Sequence, residues 1–296
     1  MKTVTCLAPA KVNLGLDVIG IRPDGYHELE TVFQTISIYD KLTVTRDNTA
    51  SGITLHCDTP DIPCDHTNLV WKAAARFQAA ANCTDGIMIM LEKQIPAQAG
   101  LGGGSSDAAA MLLAMQKLYE NPLPQTELEK IAVSLGADVP FLLYGGTAYA
   151  AGVGERLAPL PPFTADHLVI AKGKQGVSTG EAYRNIDALV HPLHPPVSSL
   201  RRAIQDGKPL TEIAKHCGNL FEQAVSLPEA DQIRTIMREN GAQCSVMTGS
   251  GSAVFGIFET RAEAKAACCA LQKLVSFVVL CKTVRAQTPT LETPKT

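Results

Sequence analysis

The chain has 296 residues, 46% of them hydrophobic and 19% charged, with a formal net charge of −3. These values fit a soluble globular protein long enough for two domains. They exclude the usual nucleic-acid binder, because no basic run or basic–aromatic pattern is present to hold a phosphate backbone.

No signal peptide or transit segment is expected at the N-terminus. Pro9 and Lys11 interrupt any signal-type apolar core, and a cytoplasmic protein is expected. Residues 10–19 alternate Val12, Leu14, Leu16 and Val18 with Lys11, Asn13, Gly15 and Asp17, the pattern of a half-buried strand. R-P-D-G at 22–25 is a turn, followed by strands at 29–38, 42–45 and 53–57. His56, Cys57, Cys64 and His66 are all zinc-ligand types. However, adjacent residues on a strand point to opposite faces, so this segment reads as a polar loop. A helix is expected at 68–81 and a strand at 87–92. A glycine-rich loop follows, then a helix to about 119 that Ser105 or Ser106 can cap, with Asp107 in its first turn. A helix at 126–135 stops at Gly136, and 141–150 is expected to be strand.

P-L-P-P at 159–162 marks a boundary, dividing the chain into 1–158 and 159–296. Beyond it, strands are expected at 167–171 and 277–283, with a strand–loop–strand at 244–258. Helices are expected at 180–189, 198–204, 218–225, 229–240 and 261–274, and a frayed tail from residue 286. The mixture argues for an α+β architecture. The longest apolar run near the end, 274–281, is too short to span a bilayer. Nine irregularly spaced cysteines with no C-x-x-C pair read as reduced, mostly buried residues.

The segment P-A-Q-A-G-L-G-G-G-S-S-D carries the strongest chemical signal. Residues 97–106 hold four glycines and two serines between a strand and a helix. Bare backbone N–H groups at a helix start can approach phosphate oxygens closely. The lysine of a P-loop is missing, and Ser105 stands where a dinucleotide fingerprint needs its third glycine. Four further features join it: Lys11 with Asn13, Tyr26-His27 after the turn, Asp138 in an apolar context, and a second glycine–serine loop, T-G-S-G-S, at 248–252. Together they supply a phosphate cradle, a cation, a candidate base and a base-stacking corner, the parts of a nucleotide-dependent phosphoryl transferase.

A-P-A-K-V-N-L, G-L-G-G-G-S-S-D and T-G-S-G-S-A-V-F, in that order, resemble the three motifs of the GHMP kinase superfamily. R-P-D-G-Y-H-E-L and G-A-D-V-P-F resemble the branch that acts on a cytidine-diphosphate-linked sugar alcohol. The resemblance implies an N-terminal domain like the second domain of ribosomal protein S5 and a ferredoxin-like C-terminal domain, with the site between them. It implies Lys11 and Asp138 as catalytic residues, and Asn13, Tyr26, His27, Thr179 and Tyr183 around the acceptor. Pro96, Ala97, Gln98, Ala99, Gly100, Leu101, Gly102, Gly103, Gly104, Ser105 and Ser106 would hold the ATP phosphates, with Asn68 and Lys93 near the adenosine. ATP with Mg2+ is implied, without identified metal ligands; Asp107 is expected to face away from phosphate or to act through Mg2+. Other GHMP kinases, of the homoserine or mevalonate type, have no reason to carry P-D-G-Y-H. A catalytically silent ligand-binding relative has no reason to keep both Lys11 and Asp138.

Overall fold

Bulges govern the first half of the molecule. The computed structural model, which describes residues 2–285, opens with two long antiparallel strands, β1 (Lys2–Ile21) and β2 (His27–Asp47). Both outrun the strands expected from alternation. Register shifts at Pro9/Ala10, Asn13/Gly15 and Val18/Gly20 break the period of two, so one strand reads as shorter pieces. Residues 10–18 of β1 are buried on both faces, so the polar members of the alternation, Lys11, Asn13 and Asp17, are buried rather than solvated.

β3 (Ile53–Cys57), α1 (Leu69–Ala81) and β4 (Gly86–Glu92) follow, then α2 (Gly103–Leu118), α3 (Gln125–Leu135) and α4 (Val139–Tyr144), and finally β5 (Thr147–Gly152) and β6 (Arg156–Pro159). The expected strand at 141–150 is a helix over its first part: Pro140 sits in the first turn of α4, where a missing N–H costs nothing. Chain direction reverses through Gly145-Gly146, and strand begins only at Thr147. α2 opens earlier than expected and without a serine cap. Gly102 is its N-cap in the left-handed region at φ 70°, and a Cβ there would press on Lys11 Cγ at 2.9 Å. Ser106 lies inside the helix, where its hydroxyl donates to the Pro9 carbonyl. Asp107 falls beyond the first turn and is buried.

The second half contains β7 (Leu168–Lys172), α5 (Thr179–Asp187), α6 (Val197–Gln205), α7 (Leu210–Ala214), β8 (Gly218–Asn219), α8 (Phe221–Ala224), α9 (Pro228–Glu239), β9 (Cys244–Met247), β10 (Val254–Ile257), α10 (Arg261–Leu271) and β11 (Phe277–Cys281). The helix expected at 218–225 is shorter: its first two residues are β8, which pairs parallel to β1 at Gly15 and Leu16. The expected tail from residue 286 lies outside the described residues.

Two sheets result. The first runs β3-β4-β2-β1-β8, with β5 paired to β2 and β6 to β5. The second runs β11-β7-β10-β9, all antiparallel. In chain order its strands and the helices α9 and α10 make the split βαβ pattern of a ferredoxin-like domain. Alternation along β7 sends Val169 and Ala171 to a core with Ile233, Met237 and Ala264. Leu168 and Ile170 face the other way, into a core shared with Ala10, Val12 and Leu14 of β1. The second sheet thus packs on the first through β1, and the chemistry-bearing middle of β1 lies at that junction.

Candidate functional site

Between the two sheets lies a cleft of about 910 Å³. Lys11 is the most buried of the charged groups lining it, at 3% exposure. Its ammonium donates to Asn13 Oδ1 at 2.7 Å, sits 3.4 Å from Asp138 Oδ2 and lies 5.4 Å above the ring centroid of Phe33. A buried ammonium is stable only when so surrounded. Lys11 and Asn13 are two apart on β1, so both point to one face.

Asn13 binds the two halves together. Its Oδ1 also accepts from the Gly249 N–H at 3.1 Å and the Thr248 hydroxyl at 3.3 Å, and its own N–H donates to Thr248 Oγ1 at 3.0 Å. Its Nδ2 donates to Thr31 Oγ1 at 2.8 Å, and Thr31 donates on to the Gly15 carbonyl. The two glycine loops therefore meet at β1. Thr248 Oγ1 donates to the Gly100 carbonyl at 3.3 Å, the Ala253 N–H donates to the Ala99 carbonyl, and a Cβ at Gly100 would collide with the Thr248 carbonyl oxygen. Asp138 stands at the N-cap of α4, yet its side chain makes no capping bond and stays available to the cleft.

At the other end, His27 Nε2 lies 2.7 Å from Asp187 Oδ1, and its ring stacks on Tyr183 with centroids 4.5 Å apart. Burial, then the charge of Asp138, raises the Tyr183 phenol to about 12, so it presents a neutral aromatic face at neutral pH. Tyr26 is 65% exposed on the same wall, and Thr179 bonds Ser250 across the loops. An open aromatic beside a stacked histidine can receive a planar base.

The cleft is lined by Lys11, Asn13, Tyr26, His27, Gln98, Gly100, Gly102, Ser105, Asp138, Thr179 and Tyr183. Pro96, Ala97, Ala99, Leu101, Gly103, Gly104 and Ser106 frame the loop instead; Ala99 and Leu101 are buried, and the Lys11 N–H donates to the Leu101 carbonyl at 2.9 Å. Asn68 and Lys93 stand outside this lining, Lys93 against the opening of α2. The Asn68 side chain caps α1 by accepting from the Val70 N–H and donates to the Pro63 carbonyl. A Cβ at Gly103 would lie 3.4 Å from Lys93 Nζ. The Lys93 ammonium is bonded to Asp40 and, at 2.6 Å, to Asp107. Burial alone lowers the Lys93 pKa, but the two carboxylates outweigh it and the net shift is upward. Burial raises Asp107 to about 8, in keeping with an Oδ1 that finds no hydrogen-bond partner. Asp107 thus turns away from the cleft toward Lys93.

Four participants had no signal of their own in the sequence. Thr31 and Phe33 lie in an ordinary alternating strand, Asp40 follows a tyrosine within the same strand, and Asp187 ends a helix of average composition. Among the described residues, no group of three or more His, Cys, Asp or Glu side chains could hold a metal ion. No helix there is long and apolar enough to cross a membrane.

A helix start preceded by a glycine loop, a lysine–aspartate pair beside it and a ferredoxin-like partner domain define a small-molecule kinase of the GHMP class. The model of the GHMP kinase N-terminal domain matches residues 68–146, and that of the GHMP kinase C-terminal region matches 198–276. A relative from Desulfitobacterium hafniense (strain Y51), named 4-diphosphocytidyl-2-C-methyl-D-erythritol kinase, is 43% identical over 88% of this chain and 89% of its own. One of the same name from Clostridium botulinum (strain Eklund 17B) is 43% identical over 85% and 90%. A crystal structure of 4-(cytidine 5′-diphospho)-2C-methyl-D-erythritol kinase matches with a TM-score of 0.79 at 39% identity, covering 94% of this chain and 98% of that one. A homoserine kinase from Cytophaga hutchinsonii matches with a TM-score of 0.80 at 21% identity over 99% and 98%, a likeness of fold. The chain belongs to the 4-diphosphocytidyl-2-C-methyl-D-erythritol kinases.

Proposed function

We propose that this protein transfers the γ-phosphoryl group of ATP to the 2-hydroxyl of 4-diphosphocytidyl-2-C-methyl-D-erythritol, giving the 2-phosphate and ADP, as a step of non-mevalonate isopentenyl diphosphate biosynthesis. The observation that carries the reading is the Lys11–Asp138 pair, 3.4 Å apart, in a cleft with the glycine loop at one end and the His27–Tyr183 stack at the other. Backbone N–H groups at the start of α2 and the loop before it hold the triphosphate. Tyr26 stacks on the cytosine, His27 bonds its edge, Tyr183 backs the His27 ring rather than the base, and Thr179 sits near the diphosphate. Asn13 lies beside the reacting hydroxyl.

Asp138 accepts the hydroxyl proton as the oxygen attacks the γ-phosphorus, and the bond from that phosphorus to the β,γ-bridging oxygen breaks. Lys11 orients Asp138 and offsets charge gathering on the transferred group. Mg2+ neutralises phosphate charge when it is bound. The carboxylates of the cleft, Asp138, Asp24 and Glu155, are each paired with Lys11 or Arg22, which suits an ion carried in by the nucleotide better than a resident one. We place the division of the chain at 1–158 and 159–296, with Asn68 and Lys93 on the adenosine side of the opening of α2. Nine free cysteines fit a reducing, cytoplasmic setting.

The test is an ADP-release assay with a panel of acceptors: the cytidyl compound, homoserine and mevalonate. Turnover of the cytidyl compound alone is expected. ADP release with homoserine or mevalonate and none with the cytidyl compound would overturn the reading.

A further inference from the structure

The His27 imidazole has one engaged nitrogen and one open one. Nε2 lies 2.7 Å from Asp187 Oδ1. The ring lies flat on Tyr183, with 25° between the planes, and Tyr183 in turn meets Phe221 edge-on at 5.1 Å. The imidazole is therefore held at the end of a packed aromatic column, with its orientation fixed. Among the described residues no protein group bonds Nδ1, and His27 lines the cleft.

An ionised carboxylate has no proton to donate. The hydrogen between Asp187 and His27 must therefore sit on Nε2, and in the neutral ring Nδ1 is then an acceptor. Tyr183 and Asp187 are four residues apart on α5, so one helix face delivers both the stacking ring and the orienting carboxylate.

We propose that Asp187 sets the nucleobase specificity of the site by fixing this tautomer of His27. An acceptor at Nδ1 pairs with the 4-amino group of cytosine. It meets the 4-carbonyl oxygen of uracil lone pair against lone pair, which leaves two acceptors unpaired. Asp187 touches no substrate; it is a positioning residue acting through His27. The inference rests on the reading of the cleft as a cytidyl-acceptor site.

The experiment measures kcat/KM for the cytidyl acceptor and for its uridyl counterpart in the wild type and in Asp187→Asn, Asp187→Ala and Asp187→Glu. An amide can donate as well as accept, so Asp187→Asn admits both tautomers. The cytidyl-over-uridyl preference is expected to fall at least about tenfold in the Asn and Ala variants, mainly through KM for the cytidyl acceptor, with KM for ATP unchanged. Asp187→Glu keeps an acceptor-only side chain and should retain most of the preference. A merely structural role would depress both acceptors alike. An unchanged preference in the Asn and Ala variants, with the wild type active on the cytidyl acceptor, overturns the assignment of Asp187. A wild type active on neither acceptor overturns the functional reading, and this inference with it.

Discussion

Lys11 sits where an unpartnered ammonium would be costly, and its three partners divide the work. Asn13 Oδ1 takes the shortest bond, at 2.7 Å, and the Phe33 face screens one side. Asp138, at 3.4 Å, is the partner that can leave to engage a substrate. Its side chain is 30% exposed and caps nothing, so replacing it should leave α4 intact. Asp138→Asn preserves shape and removes the proton acceptor. Turnover is therefore expected to fall at least about 100-fold, with KM for ATP and the unfolding midpoint nearly unchanged. Steady-state kinetics beside a urea melt checks this, and near-normal turnover would take Asp138 out of the general-base role. Lys11, Asn13, Tyr26, His27, Asp138 and Tyr183 share one cleft, but the motifs do not show what joins them. Thr31, Phe33 and Asp187 are common residue types in regular elements; only the fold, by bringing β2 and α5 to the cleft, gives them roles.

At the scale of elements, the glycine loop is braced at both ends by one buried cluster. Asp40 of β2 accepts from the Gln94 and Ile95 N–H groups at 2.6 and 2.8 Å and bonds the Lys93 ammonium, fixing the chain that enters the loop. Asp107 of α2 bonds the same ammonium, fixing the helix that leaves it. Two carboxylates thus share one cation. Burial raises the Asp107 pKa from 3.8 to about 8, so the folded state holds a proton that the unfolded chain releases at much lower pH. The contribution of this group is therefore fully present below about pH 4 and is lost as pH rises toward 8. Asp107→Asn keeps the volume and cannot ionise. The variant should lose less stability than the wild type between pH 5 and pH 8, a difference that Tm measured across that range will show. Equal slopes in both proteins would count against a titrating Asp107. The sequence placed most elements of the second half correctly, because short strands and helices with one buried face there follow simple periods. It misread 141–150 because an apolar run of that length serves a buried helix turn as well as a strand, and Pro140 tips the balance.

Across the whole molecule, the cleft depends on a return of the chain that local sequence does not announce. β8 is two residues long, yet it adds the second half to the edge of the first sheet and carries Asn219 into the junction. Asn219 is buried. Its Nδ2 donates to the Met247 and Gly249 carbonyls at 2.7 and 2.8 Å, and its Oδ1 accepts from the Phe221 N–H at 3.0 Å. The loop after β9 is thereby gripped from one side by Asn219, while Asn13 grips it from the other. That same loop touches Gly100, so it couples the phosphate end of the cleft to the acceptor end. Asn219→Ala leaves two buried carbonyls and one buried N–H without partners, at a cost of about 1–3 kcal/mol for each group that water cannot reach. A net loss of roughly 2–4 kcal/mol is expected once the loop relaxes toward solvent, read as a lower urea midpoint. Because the loop serves both ends, KM for ATP and KM for the acceptor should rise together, unlike the acceptor-only change expected at Asp187. Asn219→Asp keeps the bond to the Phe221 N–H but sets a buried carboxylate oxygen against two carbonyl oxygens, and should be at least as destabilised as the alanine variant. A full-strength urea midpoint in Asn219→Ala, or a rise in one KM alone, would show that the two halves are held together elsewhere.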